Sequence, residues 1–138
     1  MTRTDLQRLA RLRLREAKAL HRVGLYAGAY YLAGYAIECA FKACIAKRVR
    51  RHDFPDKVTV QASWTHNLQD LVKAAELKAP LDAEIAANSQ FAANWATVSQ
   101  WRETVRYDTL VPPNFASDII SAISSRATGV LPWIAKRW

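Results

Sequence analysis

The chain has 138 residues, 51% of them hydrophobic, which suits one buried core, so we expect a single domain over residues 1–138. Only 4 glycines and 5 prolines occur, which argues against a turn-rich β fold and against extensive disorder. The formal net charge of +8 is concentrated in residues 1–22 and 47–57. Such clustering suits an anionic partner, either nucleic acid or an acidic protein, although a solvated helix face explains it equally well.

The first predicted helix begins at Thr4, whose hydroxyl can cap free backbone N–H groups while Gln7 reaches back to complete a capping box. Leucine and alanine recur on one side at helical spacing, and arginine and lysine on the other. We therefore expect an amphipathic helix that ends near Gly24, because glycine readily adopts the backbone that terminates helices.

The second predicted helix runs from Tyr26 to Lys47 and is apolar over most of its surface, which is typical of a central helix in a bundle. Gly34 allows another backbone to approach it closely. Cys39 and Cys44 are five residues apart and point to different faces, which indicates reduced core thiols and a cytoplasmic location. The apolar run over residues 23–37 is shorter than the roughly 20 residues that span a bilayer, so we expect no membrane span.

The remaining segments predict mostly helix. Residues 58–64, VTVQASW, are a short candidate strand. A third helix fits His66 to Leu77, a fourth runs from about Pro80 to Trp101, and the last begins near Pro113. The predicted fold is all-α, an up-and-down bundle of four main helices plus a short additional helix.

Three segments in this order resemble the HEPN domain family: YYLAGYAIECAFKA at residues 30–43, HNLQDL at 66–71 and WRETVRY at 101–107. The resemblance spans roughly Leu20 to Trp138. It implies a bundle of four to five helices and dimerisation through long helices. In many members it also implies metal-independent RNA cleavage, or partnership with a minimal nucleotidyltransferase in a toxin–antitoxin pair.

The nuclease members of that family resemble one another in a motif of arginine, four to six residues, then histidine, placed where two subunits meet. No histidine follows Arg102 or Arg106 in this chain, and Tyr107 stands five residues after Arg102. RNA cleavage without a metal needs groups that take and give protons near neutral pH. Histidine can do this, whereas arginine keeps its proton and tyrosine holds its own until about pH 10. An active nuclease would therefore need His66 from another helix, or a weakly effective tyrosine.

Several side chains on the second and third helices are open to two interpretations. Glu38 and Lys42 have the spacing of a helical ion pair, but a buried Glu38 would instead orient Arg102 or Arg106 across the bundle. His66 either makes a local hydrogen bond at its helix start or supplies acid–base chemistry. No set of His, Asp and Glu has the spacing of metal ligands, so we expect neither a metal nor a cofactor.

Our leading hypothesis is a dimeric HEPN-like module that binds RNA or a nucleotide. The second hypothesis is a metal-independent ribonuclease toxin, and the third is a protein-interaction adaptor, with a nucleotidyltransferase as the expected partner protein. The candidates for ligand binding are Tyr35, Glu38, Lys42, Arg102 and Arg106. The candidates for catalysis are His66, Arg102, Arg106 and Tyr107.

Overall fold

The first two helices form a long pair. The computed structural model describes residues 1–49 and 53–138, so Arg50, Arg51 and His52 of the basic stretch 47–57 lie outside the described residues. Helix α1 spans Arg3–Arg22 and helix α2 spans Tyr26–Arg48, and the two pack along their lengths. Gly24 has a φ of 83° in the turn between them, the left-handed backbone that favours glycine.

The capping box of α1 lies two residues earlier than the sequence predicts. The Thr2 hydroxyl accepts from the Asp5 amide, and the Asp5 carboxylate accepts from the Thr2 amide. The predicted pair of Thr4 and Gln7 was therefore wrong. An aspartate in the first helical turn also interacts favourably with the helix dipole, which explains why Thr2 and Asp5 form the capping box and Thr4 and Gln7 do not.

Helix α2 is the centre of the fold. It packs most extensively against α1 and also contacts helices from the rest of the chain, and twelve of its residues are buried. Alanines at positions 29, 33, 36, 40 and 43 are completely or almost completely buried, which allows neighbouring helices to approach closely. Cys39 and Cys44 are buried free thiols, as predicted.

Two short helices follow the undescribed residues. Helix α3 spans Lys57–Ser63, so the predicted strand over residues 58–64 was wrong. The Asp56 carboxylate caps this helix by accepting from the Thr59 amide. Helix α4 spans Leu68–Ala74 and is capped by Asn67, so it is shorter than the predicted helix from His66 to Leu77. Residues 65–67 consequently form a connection, and His66 lies in it.

The predicted fourth helix is divided in two. Helix α5 spans Lys78–Ala87 and helix α6 spans Ser89–Ser99, with Asn88 in extended backbone between them. The Asn88 side chain accepts from the Phe91 amide and so starts α6. A short 3₁₀ helix follows at Glu103–Tyr107, which we name the 3₁₀ turn.

The chain closes with helix α7 at Pro113–Ser124 and helix α8 at Val130–Ala135. The core lies between α2 and the surrounding helices and includes Phe41, Trp95, Ile119 and Trp133. No strand occurs in residues 1–49 or 53–138, so the all-helical bundle is confirmed. Within those residues no helix is both long and apolar enough to cross a membrane.

Candidate nucleic-acid interface

The candidate site is built around a buried carboxylate. The Glu38 side chain is 2% exposed, and its Oε1 accepts from Lys42 Nζ at 2.9 Å and lies 2.9 Å from His66 Nδ1. Burying a carboxylate is costly unless cations or hydrogen-bond donors surround it. Lys42 comes from the next turn of α2, whereas His66 comes from the connection before α4. Glu38 therefore ties the first family-like segment to the second.

The 3₁₀ turn brings the third segment to the same histidine. Glu103 Oε2 lies 3.3 Å from His66 Nε2 and 3.9 Å from Arg106 Nη1. The side chains of His66 and Arg106 are each 44% exposed, so this part of the site is open to solvent. His66 thus stands between two carboxylates, one buried behind it and one at the surface.

The expected pairing of Glu38 with an arginine was wrong. Arg102 Nη1 donates to the carbonyls of Ser99 and Trp101, at 2.7 and 2.9 Å, and Arg106 pairs with Glu103. The side chain that reaches Glu38 from across the bundle is instead His66. The alternative expectation, an ion pair between Glu38 and Lys42, is present together with it.

Aromatic rings join α2 to the 3₁₀ turn. Tyr31 stacks on Tyr35 and on Trp101, with ring centroids 6.1 Å apart in each pair. The pyrrole ring of Trp101 lies directly over Gly34, where a Cβ would be only 2.3 Å from three ring atoms. Trp101 is buried, so it anchors the start of the segment that carries the site residues 102–107. Arg106 lies 4.9 Å from the centroid of the exposed Tyr107 ring.

Tyr35 has a different environment from the other predicted ligand-binding residues. It is half-buried, and burial raises its pKa to about 12. A phenol with so high a pKa stays protonated near neutral pH and offers a hydrogen-bond donor, not a base. Its contribution here is to the aromatic stack on α2.

A shallow cleft of about 260 Å³ opens between the connection before α4 and the 3₁₀ turn. Its lining comes from both sides: Thr65, His66, Asn67, Arg102, Glu103 and Thr104. Hydroxyl, amide, imidazole and guanidinium groups of this kind contact phosphate and sugar oxygens in nucleic-acid complexes. The structure therefore places two of the predicted catalytic residues, His66 and Arg102, at one cleft, with Arg106 adjoining it through Glu103.

Sequence reasoning missed Glu103, the residue that links His66 to Arg106. Its spacing of three from Arg106 is a signal for a local pair, but nothing in the sequence points to His66 as its other neighbour. Among the described residues, no group of three or more His, Cys, Asp and Glu is arranged to hold a metal ion.

Comparison with known proteins gives one match. No curated protein and no solved structure matches the chain. The family model described as the HEPN domain matches residues 4–138, which is nearly the whole chain and includes all three segments of the site. The protein therefore belongs to the HEPN domain family.

Proposed function

We propose that the protein is an RNA-binding HEPN module whose binding surface is the cleft at His66 and the 3₁₀ turn. The observation that carries this proposal is the convergence of three segments distant in sequence, through Glu38, His66 and Glu103. Membership of a family of helical modules often associated with nucleic acids is consistent with it.

The charges at the cleft suit a phosphate backbone. Arg102 and Arg106 are both exposed, one immediately before the 3₁₀ turn and one within it, and each offers the planar donor group that matches phosphate oxygens. Tyr107 is 73% exposed and has one face covered by Arg106, so its other face is open to a nucleobase. Proteins that bind single-stranded nucleic acid commonly combine basic side chains, which contact the backbone, with aromatic side chains, on which the bases stack.

Fluorescence anisotropy with a labelled single-stranded RNA of mixed sequence tests this proposal over a range of salt concentrations. The logarithm of the binding constant falls linearly with the logarithm of the salt concentration, and each lost phosphate contact lowers the magnitude of this slope by about 0.7 for a single strand. Arg102→Ala combined with Arg106→Ala should therefore lower it by about 1.4. Arg126→Ala combined with Lys136→Ala removes the same charge from exposed positions elsewhere and is the control. Equal losses in the two double variants would show that binding follows overall charge and not this site.

A second candidate function, ribonuclease activity, is supported by the pairing of Glu38 with His66. A buried carboxylate at Nδ1 orients the ring and leaves Nε2 facing the cleft, which is the arrangement a general acid or base needs. In such a reaction Nε2 takes the proton of the 2′-hydroxyl, whose oxygen attacks the adjacent phosphorus to form a 2′,3′-cyclic phosphate, and the bond to the 5′-oxygen breaks. The protonated imidazole then gives its proton to that leaving 5′-oxygen, while an arginine stabilises the charge on the phosphate.

Incubation of a mixed RNA pool with the parent, His66→Ala and His21→Ala separates cleavage from binding. His21 is a half-buried histidine that packs edge-on against Tyr26 and serves as the matched control. Cleavage by the parent and by His21→Ala but not by His66→Ala is the expected pattern of the enzyme. If the parent binds the RNA pool but leaves it intact, the site binds RNA and does not cleave it.

We also propose that the module is a homodimer and that a nucleotidyltransferase is its partner protein. Large apolar side chains exposed at the α1–α2 turn and in the loop after the 3₁₀ turn support an interface: Val23, Leu25 and Leu110 are 71%, 57% and 91% exposed. Mass measurement in solution tests the dimer: a mass of twice that of the chain supports it, and the mass of a single chain contradicts it.

Co-purification tests the partner protein. Recovery of the nucleotidyltransferase with a protein that does not bind RNA would favour an adaptor.

A further inference from the structure

Glu103 holds an unusual place in the cleft. Its Oε2 faces two groups that can carry positive charge, His66 Nε2 at 3.3 Å and Arg106 Nη1 at 3.9 Å. Two such groups facing one oxygen are also what a phosphate needs. The carboxylate therefore stands where an anionic ligand would find both partners.

We infer that Glu103 is a resident anion, which a phosphate group displaces when it binds between His66 and Arg106. This inference rests on the proposed function, because it names the part of the RNA that the cleft recognises. It also gives Glu103 a role as a competitor that limits the affinity of the cleft for anions.

The hold on Glu103 is weak. Both of its ion-pair distances are longer than the 2.7–2.9 Å of a good charge-assisted hydrogen bond, and its side chain is 33% exposed. Solvent-exposed ion pairs contribute little to stability. A phosphate presents several oxygens and can accept two parallel hydrogen bonds from one guanidinium, so it competes well for the same partners.

We name the position between His66 and Arg106 the phosphate seat. His66 and Glu103, which meet there, differ in how firmly they are fixed. His66 is held from behind by the buried Glu38, so its Nε2 stays in place whether or not Glu103 leaves. Glu103 belongs to a five-residue 3₁₀ turn that has no side-chain cap, and residues 106–110, from within this turn onward, are exposed. The His66 side is thus pre-organised, and the Glu103 carboxylate can move away from it without disturbing the core.

Inorganic phosphate is the direct probe of the seat. Its binding is followed through the NMR signals of the His66 ring, assigned by their loss in His66→Ala. We expect Glu103→Gln to bind phosphate about two- to fivefold more tightly than the parent, the size expected for removal of one exposed ion pair. Asp108→Asn is the matched control, because it removes one charge from an exposed neighbour of the same turn.

The outcome is decided by the comparison of the two variants. Tighter phosphate binding by Glu103→Gln than by Asp108→Asn, with unchanged thermal unfolding of both, supports a resident anion. Equal changes in the two variants, or no phosphate-dependent shift of the His66 signals, would overturn it. Arg106→Ala should weaken phosphate binding, and an unaltered affinity would exclude this arginine from the seat.

Parallel titrations with single-stranded RNA and with a free nucleoside monophosphate identify the source of the phosphate. RNA binding that strengthens two- to fivefold in Glu103→Gln supports both the seat and the proposed function. An RNA affinity that is the same in Glu103→Gln and in the parent refutes the seat and leaves the proposed function standing. Tighter phosphate and nucleotide binding without RNA binding would support the seat and refute RNA as the ligand.

Discussion

Replacement of Gly34 by alanine tests the packing that holds the 3₁₀ turn against α2. An alanine Cβ at this position would lie 2.3 Å from Cδ1, Cδ2 and Cε2 of Trp101. Carbon atoms in contact are normally about 3.5–4.0 Å apart, so the indole ring would have to retreat by more than about 1 Å. Trp101 is 1% exposed and stacks on Tyr31, which leaves it little space to do so.

The size of the effect follows from two opposing contributions. Overpacking of a filled core costs about 1–3 kcal/mol, and a rigid ring pressed by a backbone-attached atom belongs near the upper end. Alanine recovers up to about 1 kcal/mol through its better helix propensity. We therefore expect Gly34→Ala to lower the free energy of unfolding by about 2 kcal/mol. For a chain of this length that corresponds to a fall in Tm of roughly 6–10 °C.

Gly28→Ala is the control within the same helix. Its Cβ would lie 3.2 Å from Leu20 Cδ1, the far end of a flexible side chain that can move by a few tenths of an ångström. We expect its Tm to equal or exceed that of the parent. Thermal unfolding followed by circular dichroism measures all three proteins. If Gly34→Ala were as stable as Gly28→Ala, the close packing of Trp101 on α2 would be refuted.

Three further predictions follow from burial and charge. Glu38→Gln keeps the shape of the side chain but removes the charge that Lys42 and His66 face, so chemical denaturation should show a loss of about 1–3 kcal/mol in the free energy of unfolding; unchanged stability would mean that the buried charge is dispensable. Burial raises the pKa of Cys39 and of Cys44 from 9.0 to about 11. Because the thiolate is the reactive form, its fraction at pH 8 falls about 100-fold, and a thiol reagent should label the native protein far more slowly than the unfolded one. The same shift lowers stability as pH rises above 9, since the unfolded thiols ionise first. Trp64 is 77% exposed, so Trp64→Phe should remove most of the tryptophan fluorescence that acrylamide quenches without changing the Tm; strong residual quenching would contradict the burial of the other tryptophans.

The sequence predicts the central features of the fold because they depend on local patterns. The apolar surface of α2 and the glycine at position 24 are local signals, and the helix and its start and stop agree with them closely. Helix boundaries were predicted less well where a single polar residue decides. Asn88 interrupts a continuous apolar periodicity, and Asp56 caps a segment whose β-branched residues favour a strand.

The site was less predictable because its contacts join distant parts of the chain. Glu38 and Lys42 are one helical turn apart and their pairing could be expected, whereas Glu38 and His66 are 28 residues apart and meet only in the folded bundle. The sequence also indicates that something packs closely on Gly34, but it does not distinguish a neighbouring backbone from the indole ring of Trp101. Side-chain partners across helices follow from packing, which no local pattern encodes.

The central claim, that RNA binds at the cleft between His66 and the 3₁₀ turn, is tested most directly by photo-crosslinking. A single-stranded RNA that carries 4-thiouridine is irradiated in complex with the protein, and the crosslinked peptides are identified by mass spectrometry. We predict crosslinks in the peptide that contains His66 and in the peptide that begins at Tyr107, both abolished by excess unlabelled RNA. Because Trp64 lies in the same peptide as His66, fragment ions are used to locate the crosslinked residue within it. Crosslinks confined to α1, or located on Trp64 with none at His66 or in the peptide that begins at Tyr107, would contradict it.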